Sequence, residues 1–321
     1  MILVNFGGPR NLEEIAPFLE ELLSDQDVVA TPYPAFFHRW LFKKIARKRA
    51  ARIVSDYVSI GNKSPIYEDT EAIGAYLKAV VFHRYLPSTH ASSLSAIEAL
   101  RETTIPVLPL FPQFSYATTG SIARFFQRHL RKETVRKLQW VGSYCDHPAF
   151  IASWQRKIKE FVQGRNIPRP FFLFSAHGLP QAFVQRGDPY QAQCERSVQA
   201  VMRAFPDIPH LLAYQSKFGR GEWLRPYTNE VCESWNDKEH TVVIIPISFT
   251  SDHIETLFEI EEMYVAALTQ KGVPAYRCPA LNREKYWLES LQEIARYQKT
   301  IENFRLVRRQ ILRNHVGSML P

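Results

Sequence analysis

Cysteine is scarce in this chain. There are four in 321 residues (Cys145, Cys194, Cys232 and Cys278), widely separated and never as Cys-x-x-Cys. That spacing excludes a disulfide scaffold and argues against a thiolate zinc or iron–sulfur centre. Long hydrophobic runs are also missing: none approaches the ~20 apolar residues a membrane span needs. Met1–Phe6 enters a short apolar run with no basic region before it and no cleavage-like motif after it, so no signal peptide is expected and the setting expected is cytoplasmic. Phosphate-loop signatures are lacking as well. Gly7-Gly8-Pro9 follows the first apolar run without G-x-G-x-x-G or a P-loop lysine. Ser175 has no G-x-S-x-G elbow around it, which speaks against a hydrolase nucleophile. An apolar content of 45% excludes disorder, and a chain of this length makes one large domain or two medium ones.

Positive charge is in excess, with 40 Lys and Arg against 32 Asp and Glu, a net +8 with neutral histidines. Such a balance suits an anionic partner: nucleic acid, a membrane surface or an acidic small molecule. Much of it sits in residues 38–52, where His38, Arg39, Lys43, Lys44, Arg47, Lys48, Arg49 and Arg52 alternate with Trp40, Leu41, Phe42 and Ile45, just after Phe36 and Phe37. No helix-turn-helix, zinc-finger or aromatic–basic repeat accompanies the patch, so nucleic acid is not an expected partner. Taken alone, the segment fits a surface helix that buries its aromatics and solvates its charges better than a helix lying in a bilayer interface.

Short apolar runs rich in β-branched and aromatic residues alternate with amphipathic stretches. Strands are expected near 2–6, 80–85, 105–110 and 138–143, and again near 171–175, 210–215, 241–247 and 273–278. Helices are expected at 11–24, 36–58, 67–79, 120–132, 148–163, 188–204, 226–236, 252–270 and 284–313. Runs apolar almost throughout indicate strands covered on both faces, as in parallel sheets. The alternation predicts an α/β fold, and four strands followed by four more predict two similar halves joined near residue 140. Between 67 and 85 a helix pattern runs into Val80-Val81-Phe82 with no glycine or proline to part them.

In such folds ligands bind beyond the carboxyl ends of strands. His177 stands just beyond the run Phe171–Ser175, one residue on, a place where one ring nitrogen can be held by the scaffold while the other faces a cleft, as a general base or metal ligand requires. After the strand at 241–247, Asp252, Glu255, Glu259 and Glu262 are spaced +3, +4 and +3, one stripe if the segment is an α-helix. His253 stands beside its head. A borderline cation such as Fe²⁺ accepts imidazole with carboxylate, and His177 with Glu255 leaves coordination positions open. Aromatics at other strand ends (Phe6, Tyr57, Tyr85, Phe111, Phe114, Tyr116 and Trp223) fit the walls of a flat apolar ligand, with Arg49, Arg52, Arg84 or Ser64 taking its acidic groups.

Seven ordered blocks together resemble ferrochelatases, the enzymes that insert ferrous iron into a porphyrin at the end of haem synthesis: VNFGGP (4–9), YVSIGNKSPI (57–66), PQFSYATTGS (112–121), FSAHGLP (174–180), RGDPY (186–190), YQSKFGRGEWLRP (214–226) and PISFTSDHIETLFEIEEMY (246–264). The resemblance implies the chelatase-like fold, two Rossmann-like halves each built on a mostly parallel four-stranded sheet flanked by helices. It implies a division into 1–139, carrying the porphyrin lip, 140–283, carrying the metal site, and a C-terminal helical segment, 284–321, packing back on the first half. It implies His177 and Glu255 as the central catalytic and metal-handling pair, Asp252 and His253 in the same inner site, Glu259 on the acidic line leading from it, and Arg49, Tyr57, Ser64 and Trp223 around the porphyrin, to which the strand-end reading adds Phe6, Arg84 and Tyr116. Met263 stands where relatives often carry another carboxylate, with Glu262 the nearest substitute, and Phe6 where they carry Met or Tyr. The cysteine-rich extension that holds an iron–sulfur cluster in animal relatives is absent, so no permanently bound cofactor is expected and Fe²⁺ enters as substrate. The expected reaction is insertion of Fe²⁺ into protoporphyrin IX with release of two protons. Coproporphyrin III or another tetrapyrrole is the nearest alternative, and a non-catalytic porphyrin or haem carrier is the alternative of a different class. With a greasy, anionic substrate, the basic aromatic segment reads as a pocket lip in loose, peripheral contact with the inner membrane face.

Overall fold

The computed structural model describes residues 1–219 and 221–296. Among the described residues eight strands form: β1 (Ile2–Asn5), β2 (Val80–His83), β3 (Ile105–Pro109), β4 (Leu138–Trp140), β5 (Pro170–His177), β6 (His210–Gln215), β7 (Thr241–Ile245) and β8 (Ala275–Arg277). They make two four-stranded sheets with the same winding, β2-β1-β3-β4 and β6-β5-β7-β8, and every pairing is parallel. The near-continuous apolar runs have the cause expected of them: Ile2–Val4 and Val242–Ile245 are wholly buried because helices cover both sheet faces.

One apolar cluster runs through both halves. It joins Leu3 and Leu108 of the first sheet to Phe172, Phe174 and Val243 of the second, through Trp154 and Trp287 on the helices Pro148–Gly164 and Lys285–Arg296. The latter helix lies mainly against Pro148–Gly164 and also touches Ile66–Leu77 and β3 of the first half. The continuation of that helix expected to residue 313 lies outside the described residues.

Where helix meets strand without a glycine, Lys78 supplies the stop. It closes the helix Ile66–Leu77 in the left-handed conformation, at φ +52°, a conformation that costs a non-glycine residue energy and is invisible in the hydrophobic pattern. A helix at His90–Glu98 was not among those expected, because Leu94 and Ile97 are its only large apolar residues. The helix Ala35–Ser59 buries His38, Phe42, Ala46 and Ala50, a strict +4 stripe, and then Tyr57, against the helix Ile15–Leu23. Its first turns depart from the expected surface helix with buried aromatics. Phe36 is 78% and Trp40 52% exposed.

Candidate functional site

The carboxyl ends of β1, β3, β5 and β7 open into one cleft of about 1260 Å³, counting the space at its mouth. Phe6, Tyr57, Ser64, Ile66 and Phe111 line it from the first half. His177, Leu179, Tyr190, Trp223, Phe249, His253 and Glu255 line it from the second. Gly7-Gly8 forms the floor rather than a phosphate cradle. A Cβ on Gly8 would come 2.7 Å from both Ser64 and Ile66, so the glycine is what lets the segment after Asn62 close against the strand end.

On the second-half wall, the Nδ1 of His177 lies 3.0 Å from Oε2 of Glu255. The Nε2 of His253 lies 3.4 Å from the same oxygen. The scaffold holds His177 at its backbone: its N–H donates to Ser248 Oγ at 3.0 Å and its carbonyl accepts from the Tyr190 hydroxyl at 3.0 Å. A carboxylate only accepts, so Nδ1 carries the hydrogen and Nε2 is left with a free lone pair. Burial pulls the His177 imidazole down, but the Glu255 carboxylate outweighs it and the net shift is upward. Burial likewise pushes Glu255 up, and His177 with His253 overturns this, holding the carboxyl far below its usual range. Burial first, and then the Glu255 and Asp56 charges, push the Tyr57 phenol well above its usual value, so it stays protonated.

The acidic line does not take the form its spacing predicted. Glu255–Val265 is a π-helix, whose i→i+5 closure widens each turn so that +3 neighbours no longer share a stripe, and Asp252 lies ahead of it. The four carboxylates fan out instead. Glu255 faces the cleft. Glu259 turns back to accept from the Ser216 N–H at 2.8 Å, the Gln215 amide at 3.1 Å, and the Ser216 and Tyr264 hydroxyls. Glu262 faces solvent. Asp252 points away from His177, pairing with Arg277 and Asn282 at 2.8 Å each.

Phe6, Tyr57, Ser64 and Trp223 meet His177, His253 and Glu255 at the cleft. Arg49 is exposed on the lip helix, 4.6 Å above the Phe218 ring. Tyr116 packs edge-on against Phe114 while its backbone N–H donates to Asp188. Arg84 lines a separate cavity, bound to Glu21, Asp25 and Ser121, so its charge is spent before it can meet a ligand in the cleft. Tyr190, Ser248 and Phe249 were not singled out individually; the first two act through single hydrogen bonds to the His177 backbone, which no spacing rule announces.

Two parallel sheets whose facing strand ends enclose an apolar slot, with an imidazole–carboxylate pair on one wall, make an α/β protein with a candidate site for a flat apolar ligand. The family model described as Ferrochelatase matches residues 1–299. The protein named Ferrochelatase from Chlamydia abortus is 43% identical over 315 residues, covering 96% of this chain and 98% of its own. That of Chlamydia trachomatis serovar D is 42% identical over 303 residues, covering 92% and 94%. Among solved structures, CbiX, described as the terminal enzyme of sirohaem biosynthesis in denitrifying bacteria, aligns with a TM-score of 0.46 at 15% identity, over 71% of this chain and 93% of its own. The chain belongs to the ferrochelatase family, enzymes of haem biosynthesis that insert ferrous iron into a porphyrin.

Proposed function

We propose that the porphyrin this chain metallates is protoporphyrin IX and that His177 and Glu255 carry the insertion. The observation that carries the assignment is the 3.0 Å contact between His177 Nδ1 and Glu255 Oε2 inside an apolar cleft. With Nδ1–H tied to the carboxylate, Nε2 is the base that accepts a pyrrole proton, and the imidazolium so formed rests against Glu255. The carboxylate stays ionised and offers a hard oxygen to Fe²⁺ as the ion passes. His253, sharing that oxygen, is the next proton holder. Glu259, one turn on, links the pair to the far side of the π-helix, with exposed Glu262 at its solvent end; Asp252 anchors the segment rather than handling iron.

The walls favour a porphyrin with two propionates over one with four. Among the described residues, the cleft lining contains no lysine or arginine, and carboxylates carried into it would lack cationic partners. Phe6, Tyr57 and Trp223 wall the ring, Ser64 offers a hydroxyl at the floor, and Arg49 waits at the rim for a propionate. No iron–sulfur cluster is part of the proposal, because the four cysteines are free, buried and widely separated in the sequence. The two sheets correspond to two domains, 1–139 and 140–283. Among the described residues no helix is long and apolar enough to cross a membrane; a cytoplasmic enzyme touching anionic lipid through its aromatic lip fits the exposed Phe36 and Trp40, and no nucleic acid is involved.

Anaerobic mixing of the purified chain with Fe²⁺ and either protoporphyrin IX or coproporphyrin III, followed by absorbance, tests the reading. Faster metallation of protoporphyrin is expected, with a fall of about 10²-fold or more in His177→Ala and Glu255→Gln. Near-normal rates in either variant refute the residue assignment, and a preference for coproporphyrin refutes the substrate.

A further inference from the structure

His177 and Glu255 sit on different elements, one at the end of β5 and the other in the first turn of the π-helix that follows β7, so something must fix the distance between them. We propose that Gln215 is the residue that does so, a positioning residue that never touches the porphyrin. This rests on the assignment of His177 and Glu255 to the insertion chemistry.

Gln215 ends β6 and lies in register with His177 on the adjacent strand. It is 2% exposed and absent from the cleft lining. Its backbone carbonyl accepts from the Gly178 N–H at 2.8 Å, which ties down the residue immediately after His177. Its side-chain amide donates one hydrogen to the Glu255 carbonyl at 2.9 Å and the other to Glu259 Oε2 at 3.1 Å. The amide oxygen accepts from the Ser175 hydroxyl at 2.6 Å, and Ser175 in turn lies 3.0 Å from the Thr228 hydroxyl.

The orientation of this amide is set by chemistry. The Glu255 carbonyl and the Glu259 carboxylate can only accept, so a flipped amide would set oxygen against oxygen at both. Ser175 spends its one hydrogen on Gln215, and Thr228 then donates to Ser175. Ser175 and Thr228 are completely buried, so the chain has no water to exchange with. One residue therefore grips Gly178, the neighbour of His177, through its main chain and the Glu255 backbone carbonyl through its side chain, and buried, fully used polar groups of this kind specify geometry more than they add stability. The close approach leaves no slack, since a Cβ on Gly178 would come 2.6 Å from the Gln215 carbonyl oxygen.

The variant Gln215→Leu keeps the bulk and removes both donors. With the full chain, Fe²⁺ and protoporphyrin IX, kcat is expected to fall about 10- to 100-fold while the porphyrin KM stays within about twofold, the pattern of a mispositioned reactive group. A kcat within about twofold of the parent overturns the proposal, as does a KM that rises in step with the loss. Should Gln215→Leu not fold, Ser175→Ala removes the hydrogen bond to the amide oxygen, together with the contact to Thr228, and leaves both amide donors in place. A smaller fall in kcat at unchanged KM is then expected, and an unchanged kcat overturns the proposal. The ¹⁵N signal of His177 Nδ1 gives a readout independent of turnover. It is expected to lose its hydrogen-bonded shift in Gln215→Leu, and a signal identical to the parent's overturns the positioning role even if the chain proves to act on a different porphyrin.

Discussion

At His177, burial draws the imidazole toward its neutral form while the Glu255 carboxylate draws it toward the charged one, and the carboxylate prevails. A raised imidazole pKa means that the pair's contribution to folding from His177 is complete below the ordinary 6.5 and is lost as pH climbs through the raised value. Glu255, displaced downward, contributes fully above the ordinary 4.5 and loses its contribution as pH falls toward its depressed value. On the proposed assignment only neutral His177 can take a pyrrole proton, so insertion is expected to rise with pH through a midpoint above 6.5. The variant Glu255→Gln should move the His177 titration downward, which NMR of the ring protons can measure. A midpoint that stays put in that variant would mean the carboxylate is not what raises it. Gly8→Ala belongs to the same scale. Its new Cβ meets Ser64 and Ile66 at 2.7 Å, and the porphyrin KM is expected to rise with a stability cost of about 1–3 kcal/mol, seen in thermal melts. His177 stood out in the sequence because it follows an apolar run at a strand terminus, and Glu255 because it belongs to the carboxylates spaced +3, +4 and +3. Arg84 looked similar there, and only the structure shows its guanidinium already committed to Glu21 and Asp25.

The lip helix Ala35–Ser59 and the π-helix Glu255–Val265 mark where sequence pattern succeeds and where it stops. For the first, the +4 repeat His38–Phe42–Ala46–Ala50 was readable as a helix, but not that Phe36 and Trp40 fall off its buried side. Replacing both by glutamate is expected to abolish binding to anionic vesicles in sedimentation assays while sparing metallation of detergent-dispersed porphyrin. Vesicle binding equal to the parent's would remove the membrane from the account. For the second, the +3/+4 spacing of carboxylates is the same whether the turn closes at i+4 or i+5, so the fan in place of a stripe could not be foreseen. The helix Lys285–Arg296 owes its docking to Trp287, fully buried among residues of both halves. Trp287→Ala should cost about 3–5 kcal/mol, measurable by urea unfolding.

Across the whole molecule, the two sheets with identical winding were legible because strands and helices alternate with so few interruptions. Their relative placement was not, since it depends on contacts such as Asp69 to Arg283, 2.9 Å apart and joining the first half to the segment after β8. Burial raises Asp69 to about 6, with Arg283 opposing it. Its folded-state carboxyl therefore holds a proton that the unfolded chain has released, and this part of the stability is lost as pH rises from about 4 through 6. The melting temperature of Asp69→Asn, compared with the parent, is expected to improve between pH 5 and pH 7.5. A constant difference across that range would show that Asp69 ionises in the fold as freely as in water.

The slot is chemically one-sided. Its first-half wall offers a phenol, Tyr57, that keeps its own proton at any physiological pH, and Tyr190 across from it is pushed the same way by burial. On the proposed assignment, both hydrogens of the tetrapyrrole must leave through the same small group of side chains at one face, the second waiting until the first has been handed on. Turnover then queues at a single exit, and substituting deuterium for the exchangeable hydrogens should slow the enzyme even where the walls hold the ring unchanged.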